Sequence, residues 1–164
     1  MNSLEVELRV NGSRRTLDVR PEEMLLDVLH DRLGMADVRY GCGEGVCGTC
    51  TVLLDGDPVS ACLLLAVQAA DREITTLRGL GAEAPDGLHP LQRTMLELGG
   101  SQCGFCTPGV ILTALSLGRR NPDATRDQIR HELVGNLCRC TGYTKIIDAI
   151  DAYFSELRTE SNDD

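Results

Sequence analysis

The first part of the chain alternates apolar and polar residues in short runs, a pattern typical of β-strands. Leu4–Val10 is the clearest run, Asn11-Gly12 after it is the pair best suited to a tight hairpin turn, and residues 16–20 return the chain. Residues 21–34 carry apolar side chains at helical spacing and predict a helix that Pro21 opens. Further strands are predicted over 51–54, 59–62 and 73–76, and a short helix over 63–70. These elements indicate a small α+β domain in which a mixed sheet covers one helix.

The strand pattern disappears after residue 78, and helical spacing replaces it. Residues 78–89 are rich in glycine and proline and predict a linker. Beyond the linker, the apolar spacing predicts helices over residues 90–98, 108–117, 125–134 and 146–157. Thr125 and Gln128 have the spacing of a capping box at the start of the third of these helices. The sequence therefore predicts two domains, residues 1–78 and residues 79–164, of which the second is a four-helix bundle.

Eight cysteines and a formal charge of −9 narrow the class of protein. The first residues lack the basic and apolar regions of a secretory signal, so metal ligation or redox chemistry is favoured over a disulfide framework. No apolar run has the length of a membrane span, and the acidic balance argues against nucleic acid and anionic membranes as partners. We therefore expect a cytoplasmic protein without membrane insertion.

Four cysteines of the N-terminal domain have the spacing of a plant-type ferredoxin cluster: Cys42, Cys47, Cys50 and Cys62. Glycines at four positions of the same loop allow positive φ and leave room for backbone N–H groups to point at the sulfurs. Zinc is the alternative, but structural zinc sites usually combine two short cysteine pairs rather than one loop with three ligands. The spacing therefore predicts a [2Fe-2S] cluster.

A second set of cysteines in the helical domain is less diagnostic: Cys103, Cys106, Cys138 and Cys140. A zinc site and a redox-active Cys-x-x-Cys dithiol are both alternatives to an iron–sulfur cluster for this set. No thioredoxin-like βαβ pattern surrounds the Cys-x-x-Cys pair, however. Cys106 precedes the helix that begins near Pro108, where the N-terminal amides favour an anionic sulfur. Because the other pair falls between the third and fourth helices, we expect all four thiols to gather at one end of the bundle.

Three segments carry a wider pattern: residues 40–56, 102–109 and 135–143. In this order they resemble the iron–sulfur subunit of the xanthine oxidase family of molybdenum hydroxylases, and the resemblance extends over residues 4–153. It implies a plant-type ferredoxin-like (β-grasp) N-terminal domain and a helical C-terminal domain, each with one [2Fe-2S] cluster. The C-terminal cysteine set would ligate the cluster nearest molybdenum, and the N-terminal set the cluster nearest flavin.

The resemblance also implies a function and partners. Electrons would pass from a molybdopterin centre in a large subunit, through the C-terminal and then the N-terminal cluster, to FAD in a medium subunit or to another acceptor. The complex, a heterotrimer or a dimer of heterotrimers, would oxidise or hydroxylate a heteroaromatic, aldehyde or similar small substrate. Gln102 and Cys140 match positions that lie against the pterin cofactor. No catalytic residue is expected on this chain, since its sequence shows no paired-carboxylate, nucleophile or phosphate-loop motif.

A free-standing two-cluster ferredoxin that diffuses between proteins is the alternative function. Such a shuttle purifies alone as a monomer, whereas a relay subunit co-elutes with larger chains. The sequence specifies neither the substrate nor the final electron acceptor, because other subunits select them.

Overall fold

The computed structural model describes residues 3–82 and 84–160, so the outer domain limits predicted at residues 1 and 164 lie outside these ranges. The described chain contains one β-sheet followed by a bundle of helices, which confirms the predicted α+β class with its two-part layout. None of the helices in the described ranges combines the length and the apolar character that crossing a membrane requires.

Five strands form a mixed sheet in the order β2-β1-β5-β3-β4. Their bounds are β1 Leu4–Val10, β2 Ser13–Val19, β3 Thr51–Leu54, β4 Asp57–Ser60 and β5 Glu73–Thr75. β1 and β5 run parallel, and the other neighbouring strands run antiparallel. The predicted hairpin turn is confirmed, because Asn11 and Gly12 have positive φ angles of 51° and 74°. Strand β5 lies between β1 and β3 and joins the two hairpins into one sheet.

One helix, α1, packs its apolar residues into the core beneath the sheet. Its first turn, Leu25–Asp27, is α-helical, and Val28–Arg32 continues it as a π-helix. The predicted start at Pro21 is wrong. Met24 keeps an extended backbone and forms an antiparallel bridge with Leu65, so the helix begins only after this bridge.

The segment after β4 differs from its prediction as well. The predicted strand over 59–62 ends at Ser60, and the predicted helix over 63–70 is replaced by two short 3-10 turns, Ala61–Leu63 and Ala66–Ala69. Between these turns the backbone is extended and pairs with the residues before α1, where the Leu25 N–H donates to the Leu64 carbonyl at 2.7 Å. These backbone groups are used in tertiary pairing and therefore do not continue a helix.

Four helices form the predicted bundle. They are α2 Pro90–Glu97, α3 Thr107–Arg120, α4 Arg126–Glu132 and α5 Thr144–Glu160. The predicted capping box is confirmed, because Thr125 accepts the Gln128 N–H while its own N–H donates to the Gln128 side chain. Helix α3 is buried along most of its length because it packs against the other helices and also against β3 and β4.

Each part of the chain has its own apolar core. The first core is drawn from the sheet, α1 and the turns that follow β4, and the second from the four helices. Leu77 and Leu80, on either side of the predicted boundary between residues 78 and 79, both pack against the second core. The boundary itself stays a prediction.

Candidate metal centres

The N-terminal cysteine set lies in an irregular loop between α1 and β3, and the turn after β4 supplies its fourth member. The loop approaches its own sulfurs closely. A Cβ placed on Gly41 would lie 2.6 Å from Cys47 Sγ, so the backbone wraps this thiol at a distance that only glycine permits. The structure brings the four thiols of this set near one another as two contacting pairs, Cys42 with Cys47 and Cys50 with Cys62.

Backbone N–H groups point at the more exposed pair of sulfurs. Cys42 Sγ accepts from Glu44 N at 3.3 Å and from Val46 N at 3.4 Å, and Cys47 Sγ accepts from Cys42 N at 3.4 Å. These amide donors, of which Glu44 contributes most, lower the pKa of the Cys42 thiol to about 6. The loop is thus built to stabilise anionic sulfur.

The other pair of this set, Cys50 and Cys62, is buried in the N-terminal core. The two side chains contact one another, and burial raises the pKa of the Cys50 thiol to about 11. Two adjacent buried thiols become anionic only when a cation compensates their charge. Bound iron would supply that compensation, because metal binding deprotonates the thiols that ligate it.

The C-terminal set is assembled from two loops. Cys103 and Cys106 immediately precede α3, whereas Cys138 and Cys140 lie in the loop between α4 and α5. The Sγ atoms of Cys103 and Cys140 are 3.5 Å apart, and Cys106 contacts Cys138. Each thiol of the Cys-x-x-Cys pair therefore has a contact in the opposite loop, which weighs against a local dithiol. Burial raises the pKa of the Cys106 thiol to about 12.

Both sets group their sulfurs two by two. In the first set Cys42 contacts Cys47 and Cys50 contacts Cys62, and in the second Cys103 contacts Cys140 and Cys106 contacts Cys138. A zinc site needs all four ligands around a single ion, whereas a [2Fe-2S] cluster takes two thiolates on each of two irons. Paired thiols in both sets thus fit the dinuclear cluster better than zinc.

Tyr143 shapes the C-terminal ligand loop. Its backbone has a positive φ of 69°, and its hydroxyl donates to the Asn136 carbonyl at 3.0 Å while accepting the Cys138 N–H at 2.8 Å. The loop around Cys138 is closed by these two bonds. Tyr143 therefore holds the loop that contains Cys138 in place from within that loop.

The two cysteine loops contact each other directly. The Leu137 N–H donates to the Cys47 carbonyl at 2.9 Å, and the Thr49 hydroxyl donates to the Phe105 carbonyl at 2.9 Å. The buried Asn136 side chain donates to the Gly48 carbonyl at 3.3 Å. Backbone atoms and one hydrogen bond thus connect Cys138 with Cys47.

The contacts between the loops were not predicted from the sequence. Asn136 and Gly48 are separated by 88 positions, and neither carries a ligand-type side chain that would mark it. The sequence signal for them is their position within two residues of Cys47 and Cys138.

Comparison with known proteins agrees with this geometry. Residues 8–76 match the family described as "2Fe-2S iron-sulfur cluster binding domain", and residues 76–151 match the "[2Fe-2S] binding domain". The nicotinate dehydrogenase small FeS subunit of Eubacterium barkeri is 47% identical over 150 residues, covering 92% of this chain and 94% of the relative. The chain belongs to the iron–sulfur subunits of the xanthine oxidase family. Both domains of this iron–sulfur subunit are therefore [2Fe-2S]-binding domains.

Solved structures of the family share the fold of this iron–sulfur subunit. Quinoline 2-oxidoreductase from Pseudomonas putida 86 superposes with a TM-score of 0.88 at 42% identity, covering 94% of both chains. Aldehyde oxidoreductase from Desulfovibrio desulfuricans ATCC 27774 gives a TM-score of 0.89 at 44% identity, covering 95% of this chain and 17% of that chain. The same two-domain unit thus occurs as a chain of similar size and as one part of a much longer chain.

Proposed function

We propose that this iron–sulfur subunit relays electrons from a molybdopterin centre in a large partner subunit to FAD, or another acceptor, in a medium partner subunit. The direct contact between its two cysteine loops is the observation that carries this proposal. Short through-bond connections favour transfer between two redox centres, and the hydrogen bond from Leu137 to Cys47 provides one between the loops. Each [2Fe-2S] cluster, when bound, supplies a one-electron carrier.

We assign four thiolates to each cluster. Cys42, Cys47, Cys50 and Cys62 would hold the N-terminal cluster, and Cys103, Cys106, Cys138 and Cys140 the C-terminal one. The two-by-two contacts of the sulfurs support this assignment. The amides that point at Cys42 would stabilise the reduced, more negative state of its cluster.

The exposed side of the C-terminal site is proposed to face the molybdopterin subunit. Gln102, Cys103 and Cys140 are all exposed, and beside them Phe105 and Leu137 leave 49% and 55% of their surface uncovered. Large apolar side chains around a site that must exchange electrons suit coverage by a partner. In this orientation Gln102 and Cys140 would contact the pterin cofactor.

A second exposed apolar region, beside Cys42, is proposed to face the flavin subunit. Val46 is 55% and Leu63 61% exposed, and the Leu63 side chain lies over Gly45 of the cysteine loop. Each cluster would then have its own partner surface. A relay needs such a two-sided arrangement, as electrons enter at one cluster and leave at the other.

The names of the relatives support the substrate class. One is a nicotinate dehydrogenase subunit, another a quinoline oxidoreductase and a third an aldehyde oxidoreductase. We infer a heteroaromatic or aldehyde substrate, bound by the large subunit of a cytoplasmic heterotrimer. The free-standing ferredoxin has less support, since two of the relatives are named as subunits of larger enzymes.

Purification from the native host under gentle conditions tests the proposal. We expect the chain to co-elute with a large molybdopterin-containing chain and an FAD-containing chain. It should contain about four iron and about four acid-labile sulfide per chain and give two [2Fe-2S] signals in electron paramagnetic resonance. Elution as a lone monomer would support the diffusing ferredoxin, and zinc without visible absorption would refute both electron-transfer functions.

A further inference from the structure

Arg39 belongs to the N-terminal domain, but its side chain is bound to the C-terminal cysteine loop. Its Nη1 donates to the Gly104 carbonyl, and its guanidinium lies over the Phe105 ring, 5.5 Å from the centroid. None of the ion pairs in the described part of the chain involves Arg39. A positive charge thus lies against the loop that contains Cys103 and Cys106.

The peptide group that Arg39 binds also contacts a sulfur. Gly104 supplies the carbonyl of this peptide, and Phe105 supplies its N–H, which donates to Cys103 Sγ. In a trans peptide the carbonyl and the N–H point in opposite directions, so fixing one fixes the other. Gly104, with a φ of 75°, does not restrict this plane as a larger residue would. Arg39 therefore holds the N–H in position from the far side.

Two physical effects of Arg39 have the same sign. A donor on the carbonyl polarises the peptide and strengthens the hydrogen bond that its N–H makes to sulfur. The guanidinium charge also favours the more negative, reduced state of a nearby cluster. Both effects raise a reduction potential, and both originate in the neighbouring domain.

We propose that Arg39 is a positioning residue through which the N-terminal domain raises the reduction potential of the C-terminal cluster. The proposal rests on the proposed function, because it requires a cluster on Cys103. It also extends that function, because contact between the two domains would then help to set the reduction potential of the cluster at which electrons enter the relay. Neither the spacing of the cysteines nor the family resemblance assigns such a role to Arg39.

The test is a redox titration of both clusters in the purified complex, followed by electron paramagnetic resonance. Arg39→Met should lower the ratio of reduced to oxidised C-terminal cluster about tenfold at a fixed potential, a shift of about 59 mV for one electron. The N-terminal cluster should shift much less. Arg15→Met is the matched control, since Arg15 is exposed on the edge strand β2, and neither cluster should shift. Equal shifts of both clusters in Arg39→Met, or no shift, would overturn the proposal.

A second variant separates peptide orientation from charge. Arg39→Lys keeps the charge but loses the planar fork and the stacking on Phe105, so its potential should lie between those of the wild type and Arg39→Met. Pulsed resonance after exchange into D2O should show a weaker coupling of the Phe105 amide deuteron in Arg39→Met. An unchanged coupling, or a wild-type potential in Arg39→Lys, would mean that charge alone acts, and would refute the positioning role.

Loss of assembly has its own readout. Iron analysis will show whether Arg39→Met has lost the C-terminal cluster. If it has, the potential of Arg39→Lys tests the positioning role, and a wild-type potential in that variant would refute it. A wild-type complex without any [2Fe-2S] signal would count against the proposed function. Normal signals in the wild type with unaltered potentials in both variants would refute only the role of Arg39.

Discussion

At the scale of single residues, Gly48 marks a very close approach between the two domains. Its φ is +67°, and a Cβ at this position would lie 2.3 Å from the Gly135 carbonyl oxygen. The Gly135 carbonyl oxygen and the nearby Asn136 Cα are backbone atoms, so they cannot rotate away as a flexible side chain would. Any side chain at Gly48 thus requires the two domains to move apart.

We expect Gly48→Ala to lower the apparent Tm of the complex more than Gly12→Ala does. Both glycines have positive φ, so each alanine costs about 1–3 kcal/mol of backbone strain. Gly12 has no atom within 4 Å of its added Cβ and serves as the control for strain alone. Calorimetry or loss of visible absorption on heating measures the difference. Equal decreases would show that the approach between the domains is looser than described.

Cys140 offers a prediction about one cluster alone. Cys140→Ser should impair the C-terminal cluster and abolish electron transfer from substrate to flavin, while the resonance signal of the N-terminal cluster persists. The thiol is exposed and contacts Cys103, so the smaller hydroxyl does not disturb either core. Loss of both signals would contradict independent folding of the two domains.

At the scale of elements, helix α2 begins with a histidine cap. His89 Nδ1 accepts the Leu91 N–H at 3.2 Å, and the ring packs edge-on against Tyr153. Burial, together with the nearby charge of Arg119, lowers the pKa of His89 below its usual value of 6.5. The folded state therefore prefers the neutral ring, which is also the form that can accept the cap hydrogen bond.

This preference predicts a pH dependence of stability. Because the unfolded chain binds the proton more readily, stability is greatest above pH 6.5 and falls as the pH decreases from 6.5 towards the lower, folded-state pKa. His89→Asn keeps a cap acceptor and should remove this slope. His131→Asn, at an exposed position on α4, is the control and should leave the slope intact. Unfolding midpoints between pH 5 and 8 measure both, and an unchanged slope in His89→Asn would contradict the prediction.

Local sequence signals explain why most elements were predicted. The Asn11-Gly12 turn and the box of Thr125 and Gln128 depend on residues within one turn, and the structure contains both. The late start of α1 and the two 3-10 turns were missed because the bridge of Met24 with Leu65 decides them. Such pairing joins distant parts of the chain and leaves no periodic pattern in the sequence.

The same distinction applies to the candidate sites. Cysteine spacing and flanking glycines are local, so both sets of thiols could be proposed as ligands from the sequence. Zinc remained open for the second set because spacing does not show which sulfurs touch. The contacts of Cys103 with Cys140 and of Cys106 with Cys138 supply that information.

At the scale of the whole molecule, the two cores are joined by the packing of α3 on β3 and β4 and by polar contacts between the cysteine loops. Asn136 is 3% exposed and donates to Gly48. Asn136→Ala removes this bond, which is worth about 1 kcal/mol, and should raise the population of separated domains about fivefold. Limited proteolysis of the linker measures this population. Asn121→Ala, in the loop after α3, is the control, and equal cleavage of the two variants would contradict the prediction.

Gly48 precedes Asn136 by 88 positions, so the two sides of this contact are synthesised at different times. During translation the N-terminal half leaves the ribosome first, and it can begin to fold before the segment that packs against its cysteine loop has been synthesised. The loop that contains Cys47 and Gly48 is then still open, and it closes only when the segment around Asn136 emerges. Iron and sulfide that reach the first site early would therefore meet the Cys47 side of the loop before the second half of the chain covers it.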